Sequence, residues 1–422
     1  MSKKYKVATL GCRTNQYESL AYQNQLKAAG YVEAKGDQEA DLCIVNTCTV
    51  TQSADSHSRN KIRKLRKQNP GAKIAVTGCM VEESKNKLME ISEADFVISN
   101  KTKDQLLTQI FPEEKFPEFA LNEVNSQTRA FIKIQDGCNS FCSYCIIPYV
   151  RGKSRSKTVD EIVKEVENVV ASGTKEIVLT GINIGDFDGG DPKQPVRLSE
   201  LIAKLEPIED LERIRISSID PDEVDDDLIW AINNCSKLCP SMHIVLQSGS
   251  NFVLKRMNRK YTRQMFYETI DRLRGISKDF TFTTDIIVGF PGERQSDFEE
   301  TLAVMKEVKF VKVHMFPYSR RARTKAADFT DQISDEVKSF RKNEVLRLSE
   351  KYSYEYRNEC VGKSYRVLTE SSEEAKITFG HTPNFIKVKI PGAKYTPNQI
   401  LHVEITANEP DGLVGKVVNE TH

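Results

Sequence analysis

Residues 129–145 read RAFIKIQDGCNSFCSYC: a short apolar strand pattern runs straight into Cys138, Cys142 and Cys145, and the next cysteine is Cys235. A structural zinc site closes its shell with four protein ligands. Three thiolates at this density suit iron and sulfide, and a four-iron cubane on three cysteines leaves one iron open to something other than protein. A zinc knuckle or a chance cluster is the competing reading. It leaves unexplained why the motif follows the first of six similar strand patterns.

Outward from this stretch the same rhythm repeats. "KEIVLTG", "RIRISSI", "MHIVLQ", "TFTTDIIVG" and "KFVKVHMF" are strand patterns separated by helix-period segments. Residues 124–355 therefore predict six βα units of a partial or complete parallel barrel, a fold whose chemistry sits at the C-terminal mouth. On the N-terminal side, "YKVATLG", "DLCIVN", "KIAVTG" and "DFVIS" alternate with charged helical patterns and predict a small parallel α/β domain over residues 1–115. "FPEEKFPEFALNEVNSQT" (111–128) reads as a linker. After a charged helical pattern at 334–358, "KSYRVLTE", "NFIKVKI", "ILHVEIT" and "LVGKVV" lack intervening helices and predict an all-β barrel over 358–422.

A second set of cysteines, Cys12, Cys48 and Cys79, falls just beyond three predicted strands of the first domain. Strand ends of a parallel sheet share one edge, so these thiols converge in space. A second open-site iron–sulfur cluster is the economical reading, and three buried cysteines without metal are the alternative. Cys43 lies within a strand pattern, and Cys235, Cys239 and Cys360 lack a convergent partner; all four read as structural.

Composition narrows the setting. The 422 residues are 39% hydrophobic and 29% charged, which fits a globular chain of two or three domains. Lys and Arg number 61 against 60 Asp and Glu, so any nucleic-acid surface must be local. No apolar run approaches membrane-spanning length, and the opening "MSKKYKVATLGC" is too weakly apolar for a signal sequence. A cytoplasmic protein is expected, in which ten cysteines speak for metal or catalysis rather than disulfides.

The C-x3-C-x2-C spacing, with Tyr144 before the third cysteine, resembles the radical S-adenosylmethionine superfamily, in which the open iron chelates that cofactor and the aromatic ring lies beside its adenine. Over essentially the whole chain, the ordered set "GCRTNQYES", "NTCTVTQSADSHSRNKIRK", "GCM", "CNSFCSYCIIPYVRG", "LQSGS", "TDIIVGFPGE" and "FPYS" resembles the radical S-adenosylmethionine methylthiotransferases. "TNQYES", "NTCTVT" and "CIIPYVRGKSRS" are most similar to the branch acting on threonylcarbamoyladenosine in tRNA. Sister branches act on isopentenyladenosine in tRNA or on an aspartate of a ribosomal protein. The terminal domain resembles TRAM, an RNA-binding barrel.

The resemblance implies an α/β fold class with a partial radical SAM barrel, two 4Fe–4S clusters and S-adenosylmethionine. No catalytic residue is implied beyond the six cluster cysteines. One S-adenosylmethionine methylates a sulfur on the first-domain cluster; a second yields the radical that removes hydrogen from carbon 2 of the adenine. Implied partners are the tRNA anticodon stem-loop, a reducing electron donor and a sulfur source. Thr180, Gly181 and Asn183 after the second strand, Gln247 after the fourth and Gly289 after the fifth are cofactor candidates, with tight βα turns the equal alternative for the glycines. Basic runs at 59–67, 151–157, 255–263 and 319–325 nominate Arg63, Arg151, Arg259 and Arg320 for RNA phosphates, although any single run also fits a solvated face. Tyr318 and Phe385 are candidates for base stacking. One departure is Arg323 before Thr324, where the family usually has glycine; either a different turn or an added phosphate contact is expected. From another class, a non-catalytic RNA-binding protein with structural zinc would also carry clustered cysteines.

Overall fold

The computed structural model describes residues 2–83, 93–124, 128–374 and 376–418. Its first sheet holds β1 (Lys4–Thr9), β2 (Val32–Glu33), β3 (Leu42–Thr47), β4 (Lys73–Gly78) and β5 (Phe96–Val97), all parallel in the order 2-1-3-4-5. Every residue of β3 is buried, as a central strand covered on both faces requires. Helices α1 (Arg13–Ala28), α2 (Gln52–Gln68) and α3 (Cys79–Glu83) leave the C-terminal ends of β1, β3 and β4. Thr51 caps α2 by accepting from the Ala54 N–H at 3.1 Å. The two-residue β2 is too short to show a period, so sequence patterning missed it.

The second body contains β6 (Arg129–Lys133), a small antiparallel ribbon of β7 (Gln135–Asp136) and β8 (Arg155–Ser156), then β9 (Glu176–Thr180), β10 (Arg213–Ile216), β11 (Ser218–Ile219), β12 (Ser241–Ile244), β13 (Thr281–Val288) and β14 (Lys312–Pro317). All six expected barrel strands form. The third breaks at Ser217, so that β10 pairs with β9 while β11 pairs with β12. With β6 paired only to β9 and β14 only to β13, the barrel is open between them among the described residues. Helix α1 covers the β6 side, where Tyr17 and Ala21 join the same core as Ala130 and Ile132.

The stretch at 111–128 is more than a linker. Phe119 packs against Tyr17 and Tyr22 with ring centroids 6.4 and 4.9 Å away, and the buried Leu121 donates its N–H to Glu165 at 2.7 Å. Such an extended strap shows no period because no partner strand imposes one. Residues 125–127 of it lie outside the described residues.

A long helix, Asp335–Asn358, leads to the closed barrel of β15 (Ser364–Glu370), β16 (Ile377–His381), β17 (Lys387–Pro391), β18 (Ile400–Glu409) and β19 (Gly412–Val417). Four of these strands are expected from sequence. The fifth, β16, carries Gly380, where a Cβ would come within 2.5 Å of the Leu368 carbonyl oxygen; the close strand approach demands a glycine that also weakens the strand pattern. This domain caps the N-terminal end of the parallel barrel: Arg215 donates to the Pro383 carbonyl at 2.8 Å and Thr281 to the Asn384 carbonyl at 2.7 Å. Among the described residues no helix is long and apolar enough to cross a membrane.

Candidate active site

The first cysteine set is assembled by the sheet order. Cys12, Cys48 and Cys79 stand just past β1, β3 and β4, which are adjacent. Gly11, at φ +96°, lies so near Cys48 that a Cβ would sit 2.7 Å from the Cys48 Cβ, and Gly78, at φ +99°, lies against the Thr47 backbone. Asn15 ties the strand ends together, donating to the carbonyls of Leu10 at 2.6 Å and Thr47 at 3.0 Å. Cys12 is exposed, whereas Cys48 and Cys79 are buried. Burial pushes the Cys79 thiol up to about 11 against the pull of Arg151. A buried Cys79 thiol must lose its proton to bind metal, so taking up metal there releases one.

The second set hangs on a loop pinned at its neck. Gly137, at φ +77°, passes close to the Lys153 carbonyl, and Cys138 donates its N–H to the Gly152 carbonyl at 3.1 Å. At the far end Ser143 accepts from the Ala326 N–H at 2.8 Å and donates to the Arg256 carbonyl at 2.8 Å. Arg259 donates to Cys142 Sγ at 3.0 Å and pairs with Asp220. Burial pushes the Cys145 thiol up to about 12. Among the described residues no three Cys, His, Asp or Glu side chains are close enough to share one metal ion. A cluster in which each thiolate binds a different iron has no such requirement.

The two sets meet. Cys79 forms one buried apolar group with Ile146 and Val150, the first of which follows Cys145 directly. Beside the first set, at the junction with the barrel, lies Arg151, wholly buried, donating to Asp136 at 2.8 Å, to Glu18 at 3.1 Å and to Asn15. Burial alone would raise the Glu18 carboxyl, but Lys103, Arg151 and Lys133 hold it well below the usual carboxylate range.

Around the barrel mouth, Tyr144 packs edge-on against Phe290 at 6.4 Å. Thr180 is buried at the end of β9, and Gly181 lies against Gln135, whose Oε1 accepts from the N–H groups of Ile182 and Asn183 at 2.9 Å. Asn183 donates to Glu223 at 2.8 Å; burial and then Asp220 push the Glu223 carboxyl up to about 7. Gln135 and Glu223 carried no sequence signal that singled them out. Gln247, at φ +59°, is buried, and its Oε1 has no hydrogen-bond partner among the described residues. Such an unspent acceptor fits a bound donor. Gly289, at φ +70°, lies close to Lys338, where a Cβ would come 2.3 Å from Cγ.

Comparison with known proteins places this geometry. Residues 4–99 match the model described as "Uncharacterized protein family UPF0004", and residues 132–305 match the radical SAM superfamily. The chain is 44% identical to threonylcarbamoyladenosine tRNA methylthiotransferase MtaB of Chlamydia pneumoniae over 98% of both chains. It is 37% identical to the protein of that name in Bacillus subtilis (strain 168), covering 94% of this chain and 92% of that one. The chain belongs to the radical SAM methylthiotransferases. A tRNA-2-methylthio-N(6)-dimethylallyladenosine synthase of Clostridium perfringens (strain SM101 / Type A) is 33% identical to this methylthiotransferase over 99% of the chain and 98% of its own length. The methylthiotransferase shares its fold with TsrM, a radical S-adenosylmethionine methyltransferase of Kitasatospora setae solved with cobalamin and a [4Fe-4S] cluster: TM-score 0.55 and 13% identity, over 89% of this chain and 82% of that one.

Several residues expected to face RNA point inward in the methylthiotransferase. Arg151 and Arg259 are spent on the buried pairs above, and Tyr318 is buried against Phe290 at 5.5 Å. Phe385 stacks on His381 at 4.7 Å, with the guanidinium carbons of Arg129 and Arg215 at 5.2 and 4.6 Å, at the junction of the two barrels. Within the basic runs, Arg155, Lys157, Arg256 and Arg263 pair with Asp136, Glu165, Asp331 and Glu300. Arg63 remains exposed beside Glu93 at 3.8 Å, and Arg320 is exposed. Arg323 keeps the left-handed turn expected of glycine, φ +71°, and lies 5.0 Å over the Tyr149 ring. Sequence reading passed over Arg13, which follows Cys12, is exposed, and lines a cavity of about 540 Å³ that runs from the barrel interior to the terminal domain.

Proposed function

We propose that the chain attaches a methylthio group to carbon 2 of N6-threonylcarbamoyladenosine at position 37 of tRNA. The observation that carries this reading is that Cys79 of the first three-cysteine set packs on Ile146, the residue after Cys145 of the second, in a chain 44% identical over its length to an enzyme of that name. The residues fit the groups the family implies: each set offers three thiols, and the barrel mouth keeps an unspent buried acceptor on Gln247. When bound, two 4Fe–4S clusters and S-adenosylmethionine supply the sulfur carrier, the methyl donor and the hydrogen-abstracting radical.

The chain's own work is placement. Tyr144 and Phe290 form an aromatic wall beside the barrel cysteines, and the Arg259–Asp220 pair steadies Cys142. Arg151, buried beside the first cysteine set, locks the first domain to the barrel through Glu18 and Asp136. The reading takes the anticodon stem-loop as the RNA partner, with a reducing electron donor and a sulfur source, in the cytoplasm.

An anaerobic assay tests the division of labour. Reconstituted wild type and Cys48→Ala are expected to release 5′-deoxyadenosine from S-adenosylmethionine under strong reductant, whereas Cys142→Ala is not. Nucleoside analysis of tRNA from a deletion strain tests the substrate: loss of the 2-methylthio derivative of threonylcarbamoyladenosine supports the reading, and its persistence refutes it.

A further inference from the structure

Two cysteines of the barrel set accept from different donors. Cys138 Sγ takes the neutral N–H of Ser140 at 3.4 Å, whereas Cys142 Sγ takes Nη1 of the Arg259 guanidinium at 3.0 Å. The Nη2 end of the same guanidinium pairs with Asp220, and both side chains are shielded from water, with 6% of Arg259 and 16% of Asp220 exposed. The cation is fixed from several directions. The Tyr261 ring lies 4.7 Å from Arg259 Cζ, Tyr261 itself donates to the Leu246 carbonyl at 3.2 Å, and the Arg259 N–H donates to the Leu254 carbonyl at 3.0 Å. Asp220 is held by its own turn, its carbonyl accepting from the Glu223 N–H at 3.1 Å. A charge fixed at low exposure escapes much of the screening that water and salt give a surface charge. Hydrogen bonds to the sulfurs and local charge are among the features that set an iron–sulfur reduction potential.

We propose that Arg259, acting through its hydrogen bond to Cys142, raises the reduction potential of the barrel cluster, and that Asp220 limits the rise. This rests on the functional reading above, which assigns a 4Fe–4S cluster to these thiols. Reduction adds one negative charge beside Cys142, so a guanidinium at that sulfur favours the reduced form. Asp220 offsets part of the same guanidinium's charge, so the two residues act in opposite directions. The step concerned is the arrival of one electron from the reducing donor; no bond breaks and no proton moves at Arg259. An intermediate potential suits the reaction, because a centre held too low is not filled by the donor and one held too high does not pass the electron on. Arginine suits the position because it stays charged when buried, whereas a lysine shifts its pKa readily there.

The test is a redox titration of the two-cluster protein followed by electron paramagnetic resonance, the barrel signal being the one that S-adenosylmethionine alters. Arg259→Gln is expected to lower the potential of that signal by about 59 mV, a ten-fold change for one electron, as the loss of a charge-assisted hydrogen bond warrants. Arg259→Lys should fall between Arg259→Gln and wild type, and Asp220→Asn should move the potential upward. Iron and sulfide content and equilibrium binding of S-adenosylmethionine are measured on each variant. Unchanged potentials with weaker S-adenosylmethionine binding would make Arg259 a cofactor anchor and overturn the inference. Shifts of the same sign in Arg259→Gln and Asp220→Asn would show a general disturbance and overturn it too, as would loss of the cluster from both Arg259 variants. Release of 5′-deoxyadenosine by the wild type alongside any of these results leaves the functional reading standing. A wild type that takes up the electron yet leaves S-adenosylmethionine intact refutes that reading and not the inference.

Discussion

Gly11 and Gly78 bring the first-domain cysteines together because backbone there passes where no side chain fits. At Gly78, with φ +99°, a Cβ would stand 2.4 Å from the Thr47 carbonyl oxygen, and that contact is backbone and cannot swing away. Gly78→Ala is therefore expected to destabilise by about 2 kcal/mol or more and to lower first-domain iron content, read by denaturant titration and iron analysis. Arg323 poses the opposite case. A left-handed non-glycine residue costs roughly 1–2 kcal/mol, whereas its exposed cation–π contact with Tyr149 returns about 0.5–1 kcal/mol. Arg323→Gly should raise stability by up to about 1 kcal/mol; a clear fall in melting temperature would show that the Tyr149 contact dominates. That Arg323 departs from the family pattern is legible in sequence. That the turn survives the departure is not, because φ depends on what surrounds the loop.

At the scale of elements, α1 serves two bodies. Its N-terminus presents Cys12 and Arg13, while Tyr17 donates to Glu165 at 2.7 Å and accepts from Lys157 at 2.6 Å across the junction with the barrel. The strap at 111–124 lies over this helix through Phe119. Phe119→Ala should cost about 2–3 kcal/mol, below the full core value because the ring is only partly buried, and should speed proteolysis within the strap; unchanged cleavage would mean that the strap is held by its backbone contacts alone. The strands and helices themselves were readable from period. Strap, β2 and β16 were not, being respectively extended without a ladder, two residues long, and interrupted by a glycine that the closed barrel needs.

Across the whole molecule, buried ion networks join the domains. Glu18, Asp136, Lys103 and Arg151 connect the first domain to the barrel, and Glu176 and Glu370 with Arg129, Arg213 and Arg215 connect the barrel to the terminal domain. Burial alone would raise these carboxyls, but the surrounding cations hold Glu18, Asp136 and Glu176 well below the usual range, and His381 with Arg129 holds Glu370 at about 2. A depressed carboxylate contributes stability fully above its unfolded pKa of about 4 and loses that contribution as pH falls toward the folded value. The domains should therefore loosen as pH drops from about 4.5 toward about 2, seen as a rising radius in solution scattering. Glu176→Gln, which strands buried arginines, should cost about 3–5 kcal/mol at neutral pH, more than Glu370→Gln at the partly exposed end of the same network.

Most strands, the two cysteine sets and the family were legible because they rest on local period and on spacing along the chain, which folding preserves; the strand order that brings Cys12, Cys48 and Cys79 to one edge was not. The fate of each basic residue was decided only in three dimensions. Arg151 meets Glu18 across 133 positions, and Arg259 meets Cys142 across 117. Arg13, in an unremarked position of a cysteine motif, stays exposed and lies over the Phe131 ring along a cavity. Charge pairing acts through space between segments that the fold brings together, so a run of basic residues announces its charge but not which of its members remain free to use it.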